Sequence, residues 1–204
     1  MKIDKLTTAK PHPRRQSAPL CFVVHSTGSL DRGAVVEYYT KSGSGVCPHF
    51  LLLPEGDVLQ FVETDHVAYH VGLPQERLDA YRRGREEWTR HVKDGVLEAP
   101  FAGYQQWFAR WPGKESPLQL RTGEHPNGNS IGIELLAERG RCTDRQYTTL
   151  EQLLEVLSGS AKIELGRETV IGHSDADPIA RSDKHGGTDP GPHFDWERLF
   201  ALFE

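Results

Sequence analysis

The sequence predicts an α/β domain, with strands and helices layered around a central mixed β-sheet. Three observations carry this expectation. Short continuous apolar runs alternate with helical patterns along the chain. The longest apolar stretches are only about four or five residues, far below the roughly 20 needed to cross a bilayer. The length, 204 residues, suits one domain with room for an elaborated insertion.

The elements follow in order. Residues 1–19 read as a polar, proline-containing arm. "LCFVVHSTG" reads as a buried strand from Leu20 to about Ser26, a short apolar run closed by Gly. In "SLDRGAVVEYYTKSG", Ser29 is a cap and Val35, Val36 and Tyr39 fall at helical spacing, which predicts a helix from about Leu30 to Lys41. "HFLLLPEGDVLQFVE" reads as a hairpin with its turn at Pro54 to Asp57. "NSIGIELLAE" predicts a strand from Ser130 to about Ala137. "TDRQYTTLEQLLEVLSGS" predicts an amphipathic helix with a Thr143 cap and an apolar stripe of Tyr147, Leu150, Leu153, Leu154 and Leu157. "TVIGHS" is another short strand, and "DWERLFALF" is a closing helix capped by Asp195.

The block 74–126 differs in character. It begins charged and helix-like and becomes aromatic-rich, and it contains every tryptophan except Trp196. It reads as an insertion in a single domain spanning 20–204. Trp88, Tyr104, Trp107, Phe108 and Trp111 form either the small core of that insertion or a stacking wall for substrate.

Composition excludes some classes. Hydrophobic content of 37% and charged content of 26% describe a soluble globular chain. The net charge of −5 argues against nucleic acid as a partner, because phosphate binding wants a basic surface. Cys21, Cys47 and Cys142 are odd in number and contain no CxxC pair, so no disulfide framework is expected. The N-terminal residues lack the apolar run of a secretory signal, so the chain is expected to be cytoplasmic as synthesised.

The chemistry gathers at strand ends. His25 closes one strand, His173 closes another, and Asp189 stands on the turn "TDPGP". Two imidazoles and one carboxylate offer zinc three ligands and leave a fourth position open, the pattern of a catalytic site. A water bound there loses its proton near neutral pH. Glu134 lies inside the apolar strand "SIGIEL", where a carboxylate is costly unless it faces a polar site, and it is the candidate base. Each residue alone has an ordinary reading as well: a hydrogen-bonded histidine, a solvent-facing glutamate, a turn aspartate. His185 and His193 remain competing ligands.

The ordered motifs "VVHST", "PHFLLLPEGDVLQFVETDHVAYHVG", "NSIGIELL" and "GHSD…TDPGPHFDW" resemble the zinc-dependent N-acetylmuramoyl-L-alanine amidases of the second amidase family. The resemblance covers about residues 20–72 and 127–200 and omits the block 74–126. It implies a mixed sheet flanked by helices and cleavage of the amide between N-acetylmuramic acid and L-alanine in peptidoglycan or muropeptides. It implies one zinc ion on His25, His173 and Asp189, with Glu134 as the catalytic carboxylate. His70, in "VAYHVG", and His49, in "CPHF", are expected to face the substrate cleft. Relatives often have a Lys two residues before the last ligand, where this chain has Gly187; Lys184 or His185 is the expected substitute. Asp175, Asp177 and Asp183 are expected to shape turns and orient the imidazoles, and Asn129 and Ser130 to be structural. Two settings fit: recycling of soluble anhydro-muropeptides, or wall lysis after phage-type release or delivery. The long loop and the insertion tilt the expectation to lysis. The alternatives are a non-catalytic peptidoglycan-binding module and a zinc hydrolase of another amide.

Overall fold

The computed structural model describes residues 1–41, 43–76, 78–79, 125–177 and 189–203. Lys184, His185, Gly187, Asp183 and the aromatic residues of the expected insertion lie outside these residues. Six strands among the described residues form one sheet: β1 (Ile3–Lys5), β2 (Cys21–Ser26), β3 (Phe50–Leu52), β4 (Val58–Gln60), β5 (Ser130–Leu135) and β6 (Val170–Gly172). Their order is β1-β4-β3-β5-β2-β6. The β3–β4 hairpin is antiparallel and every other neighbouring pair is parallel, so the sheet is mixed as expected. The helices are α1 (Arg32–Thr40), α2 (Pro126–Asn129), α3 (Asp144–Ala161), α4 (His173–Ala176) and α5 (Trp196–Phe200).

Alternation along a strand gives the sheet two faces. Phe22 and Val24 of β2, Phe50 and Leu52 of β3, and Ile131, Ile133 and Leu135 of β5 pack with Leu150, Leu153, Leu154 and Leu157 of α3. The apolar stripe read from the sequence is therefore the stripe that meets the sheet. Thr143 caps α3 as expected: its hydroxyl accepts from Gln146 N at 3.1 Å, while Gln146 Oε1 accepts from Thr143 N at 3.0 Å. The buried Gln146 amide also donates to Leu52 O and Leu136 O, tying the helix to two strands.

Two local expectations are corrected. Asp31, not Ser29, caps α1. Its carboxylate accepts from Ala34 N at 3.0 Å, whereas Ser29 Oγ accepts from Asp31 N, ahead of the first turn. A charged acceptor competes well for the first free amides of a helix. The N-terminal arm is also no mere appendage. Its β1 adds to the edge of the sheet alongside β4. Farther along, Arg15 buries its guanidinium and donates to Thr64 O, Gly128 O and Ser130 O at 2.7, 2.8 and 2.6 Å. Burial lowers the Arg15 pKa to about 10, which leaves it charged at neutral pH. No helix among the described residues is long and apolar enough to cross a membrane.

Candidate metal centre and active site

The second face of the sheet carries Cys21, Val23 and His25 on β2 and Ser130, Gly132 and Glu134 on β5. His25 and Glu134 are register partners on adjacent parallel strands, so their side chains stand side by side on this face. β6 pairs with β2 on its other side and delivers His173 as the first residue of α4. The turn after residue 188 brings in Asp189. Gly172 makes that approach possible, because a Cβ there would come within 2.7 Å of Asp189 O.

The three predicted ligands converge. His25 Nδ1 lies 3.1 Å from His173 Nδ1 and 3.3 Å from Asp189 Oδ2, and His173 Nδ1 lies 3.1 Å from the same oxygen. Around a tetrahedral ion with bonds of roughly 2.0–2.1 Å, ligand atoms stand about 3.3 Å apart. The spacing therefore fits a small divalent ion, and the donor set of two imidazoles and a carboxylate suits zinc. The second carboxylate oxygen, Asp189 Oδ1, accepts from Ser26 N at 2.8 Å, which fixes the plane of the group. Burial alone would raise the Asp189 pKa, but the close approach of His173 and His25 holds it well below the usual carboxylate range, so the group is ionised. His193 is exposed and lies 3.3 Å from Arg141, apart from the cluster.

Glu134 is buried beside His25. Tyr39 of α1, which the sequence reading placed only in a helix stripe, lies near it. Burial first, and the nearby Glu134 carboxylate second, push the Tyr39 pKa far up, so the phenol stays protonated. Asp175 lies in the first turn of α4, where its Oδ2 accepts from Gly172 N at 2.8 Å.

His70 and His49, the expected substrate-side residues, are both buried. His70 is 2% exposed; its Nδ1 lies 2.9 Å from His25 Nε2 and its Nε2 lies 3.2 Å from Ser130 Oγ, so both ring nitrogens are engaged. Its backbone is held too, with the amides of His70 and Val71 donating to Asn127 Oδ1. His49 has no exposed surface. Its Nδ1 accepts from Gly132 N at 2.9 Å, and its Nε2 lies 3.1 Å from His66 O. Burial and the nearby Arg15 cation lower its pKa to about 3, so it is neutral. The motif order pointed to these histidines, but not to where their rings lie. A glycine inside a strand was the available signal, since such a residue marks a close approach. A Cβ on Gly132 would fall 2.3 Å from the His70 ring.

The chain is similar to known proteins in sequence and in fold. The N-acetylmuramoyl-L-alanine amidase family matches residues 15–192. Among curated proteins, the chain is 38% identical over 177 residues to the 1,6-anhydro-N-acetylmuramyl-L-alanine amidase AmpD of Enterobacter cloacae, covering 86% of this chain and 67% of that protein. It is 36% identical over 92 residues to the AmpD amidase of Haemophilus influenzae, covering 45% of each. The chain thus spans about half to two thirds of the curated relatives it matches. Among solved structures, a selenomethionine AmpD derivative superposes with a TM-score of 0.63 at 20% identity, covering 100% of this chain and 95% of that one. The Staphylococcus aureus hydrolase AmiA does so at 0.57 and 15%, covering 100% and 82%. An endolysin amidase from Clostridium intestinale gives 0.54 and 16%, covering 97% and 92%. At those identities the structures speak for the fold, whereas the family match runs through β2, β5 and the Asp189 turn, so that by sequence and by architecture the chain belongs to the N-acetylmuramoyl-L-alanine amidases.

Proposed function

We propose that this protein is a zinc amidase that hydrolyses the bond between N-acetylmuramic acid and L-alanine, with soluble 1,6-anhydro-muropeptides as its preferred substrate. The observation that carries the reading is the convergence of His25, His173 and Asp189 beside Glu134 on one face of the sheet. The substrate preference rests on the named activity of the curated relatives, at 36% and 38% identity. The endolysin likeness, at 16% identity, speaks only for fold. This reading is preferred to wall lysis, which the long loop and the insertion favoured in the sequence.

In this proposal His25, His173 and Asp189 hold the ion. When bound, zinc supplies an acidified water and a polarised scissile carbonyl. Glu134 accepts a proton from the attacking water and passes it to the departing L-alanine amine. Tyr39 holds the Glu134 carboxylate from the α1 side and keeps it aimed. The burial of both groups excludes bulk water from the proton path. Lys184, in the segment between His173 and Asp189, is the proposed donor to the developing oxyanion, with His185 the alternative.

The test is a mass-spectrometric digest. Zinc-loaded protein is incubated with anhydro-muropeptides and, separately, with intact sacculi, with and without chelator. The expected result is release of peptides beginning with L-alanine, faster from the soluble substrate and lost on chelation. Faster release from sacculi would reassign the substrate. No release from either, in protein shown to hold zinc, would overturn the amidase reading in favour of a binding module.

A further inference from the structure

A line of buried polar groups runs behind the ligand His25, and chemistry alone sets its direction. The Pro126 carbonyl can only accept a hydrogen bond. Ser130 Oγ lies 2.7 Å from it and has a single proton, which is committed there. Toward His70 Nε2, 3.2 Å away, Ser130 Oγ is therefore an acceptor, and the neutral His70 ring has its proton on Nε2. His70 Nδ1 is left as a lone pair facing His25 Nε2 at 2.9 Å. His25 must then have its own proton on Nε2, which leaves its Nδ1 lone pair directed at His173 Nδ1 and Asp189 Oδ2. The sheet is built to admit this line. Ser130, Gly132 and Glu134 share a face of β5, and the missing side chain at Gly132 is the space the His70 ring occupies. At its far end, Arg15 donates to Ser130 O and Gly128 O and fixes the turn that contains the terminal acceptor.

We propose that His70, oriented by Ser130 and the Pro126 carbonyl, is a positioning residue that sets the tautomer of His25 and so preorganises its Nδ1 for the metal ion. The inference rests on the zinc reading above and deepens it. It gives His70 a role behind the site in place of the substrate-side one. It also gives a task to Ser130, which the sequence assigned only to structure. Partners that orient a ligating histidine typically govern metal affinity by roughly 10–100-fold.

The test has two arms, both on the full chain. The first is 15N-resolved histidine spectroscopy of the zinc-free protein, with His70 and His25 both expected as Nε2–H tautomers. The second is a chelator-competition titration of zinc on wild type, Ser130→Ala, His70→Phe and His70→Gln, with folding of each zinc-free form checked by thermal melt. Ser130→Ala and His70→Phe are expected to weaken zinc by roughly 10–100-fold. His70→Gln is expected to recover part of the loss, because its amide oxygen can accept from His25 Nε2; a purely packing role would show no such rescue. If His70→Phe does not fold, Ser130→Ala decides the second arm. An Nδ1–H tautomer at His70, or folded variants binding zinc within about twofold of wild type, would overturn the inference while leaving the amidase reading intact. A wild type that takes up no zinc would instead overturn the metal reading, and this role with it.

Discussion

On one face of β5 stand Ile131, Ile133 and Leu135; on the other stand Ser130, Gly132 and Glu134, and all are buried. The first face meets α3 chiefly through apolar side chains. The second meets His70, His49 and His25, and its groups make directed hydrogen bonds. The two faces are stabilised differently. Apolar contact is non-directional and tolerates neighbours of similar volume. A buried polar line tolerates little, since a group left unsatisfied costs about 1–3 kcal/mol. Damage to the first face should therefore appear as lost stability, and damage to the second as lost metal or lost turnover.

Four substitutions or probes separate the faces, from the largest effect to the smallest. Asp189→Ala removes a ligand from the polar face and should weaken zinc by more than roughly 100-fold, because a ligand counts for more than a partner behind it. Elemental analysis after gel filtration reads this directly, and full occupancy would move the third ligand elsewhere. Leu153→Ala opens a cavity on the apolar face, and denaturant titration should show a loss of about 2–5 kcal/mol with zinc affinity unchanged. A parallel fall in zinc affinity would mean that the faces are not separable. Tyr39→Phe keeps the ring in the core and removes the phenol hydroxyl near Glu134. It should lower kcat about tenfold, roughly 1.4 kcal/mol, with KM little changed; a change confined to KM would place Tyr39 at substrate instead. The smallest effect belongs to Cys47, whose thiol burial raises to about 12. At pH 8 that thiol stays protonated, so iodoacetamide should alkylate it far more slowly in native than in unfolded protein.

The same contrast explains what was legible in the sequence. The apolar face was readable, since α3 and the strands beside it follow periodicity and cap chemistry that act locally. The convergence of His25, His173 and Asp189 was readable too, as polar residues at strand ends in motif order. The supporting groups were not. Tyr39 looks like any helix-stripe aromatic, and its nearness to Glu134 depends on how α1 docks on the sheet. Arg15 lay in a stretch read as a polar arm, because a guanidinium satisfied by backbone carbonyls leaves no pattern in side-chain types. His70 and His49 were recognised, but the place of the His70 ring is set by the gap at Gly132. A missing side chain becomes informative only once the neighbouring strand is in place.

The central claim is that the polar face is a hydrolytic site with Glu134 as its base. The most direct measurement is single-turnover release of L-alanine peptides from an anhydro-muropeptide by wild type and Glu134→Gln at matched, measured zinc content. The account predicts that Glu134→Gln keeps its zinc and loses turnover by roughly 100-fold or more, because the ligands stay and the proton acceptor goes. Turnover near the wild-type rate in zinc-loaded Glu134→Gln would contradict it.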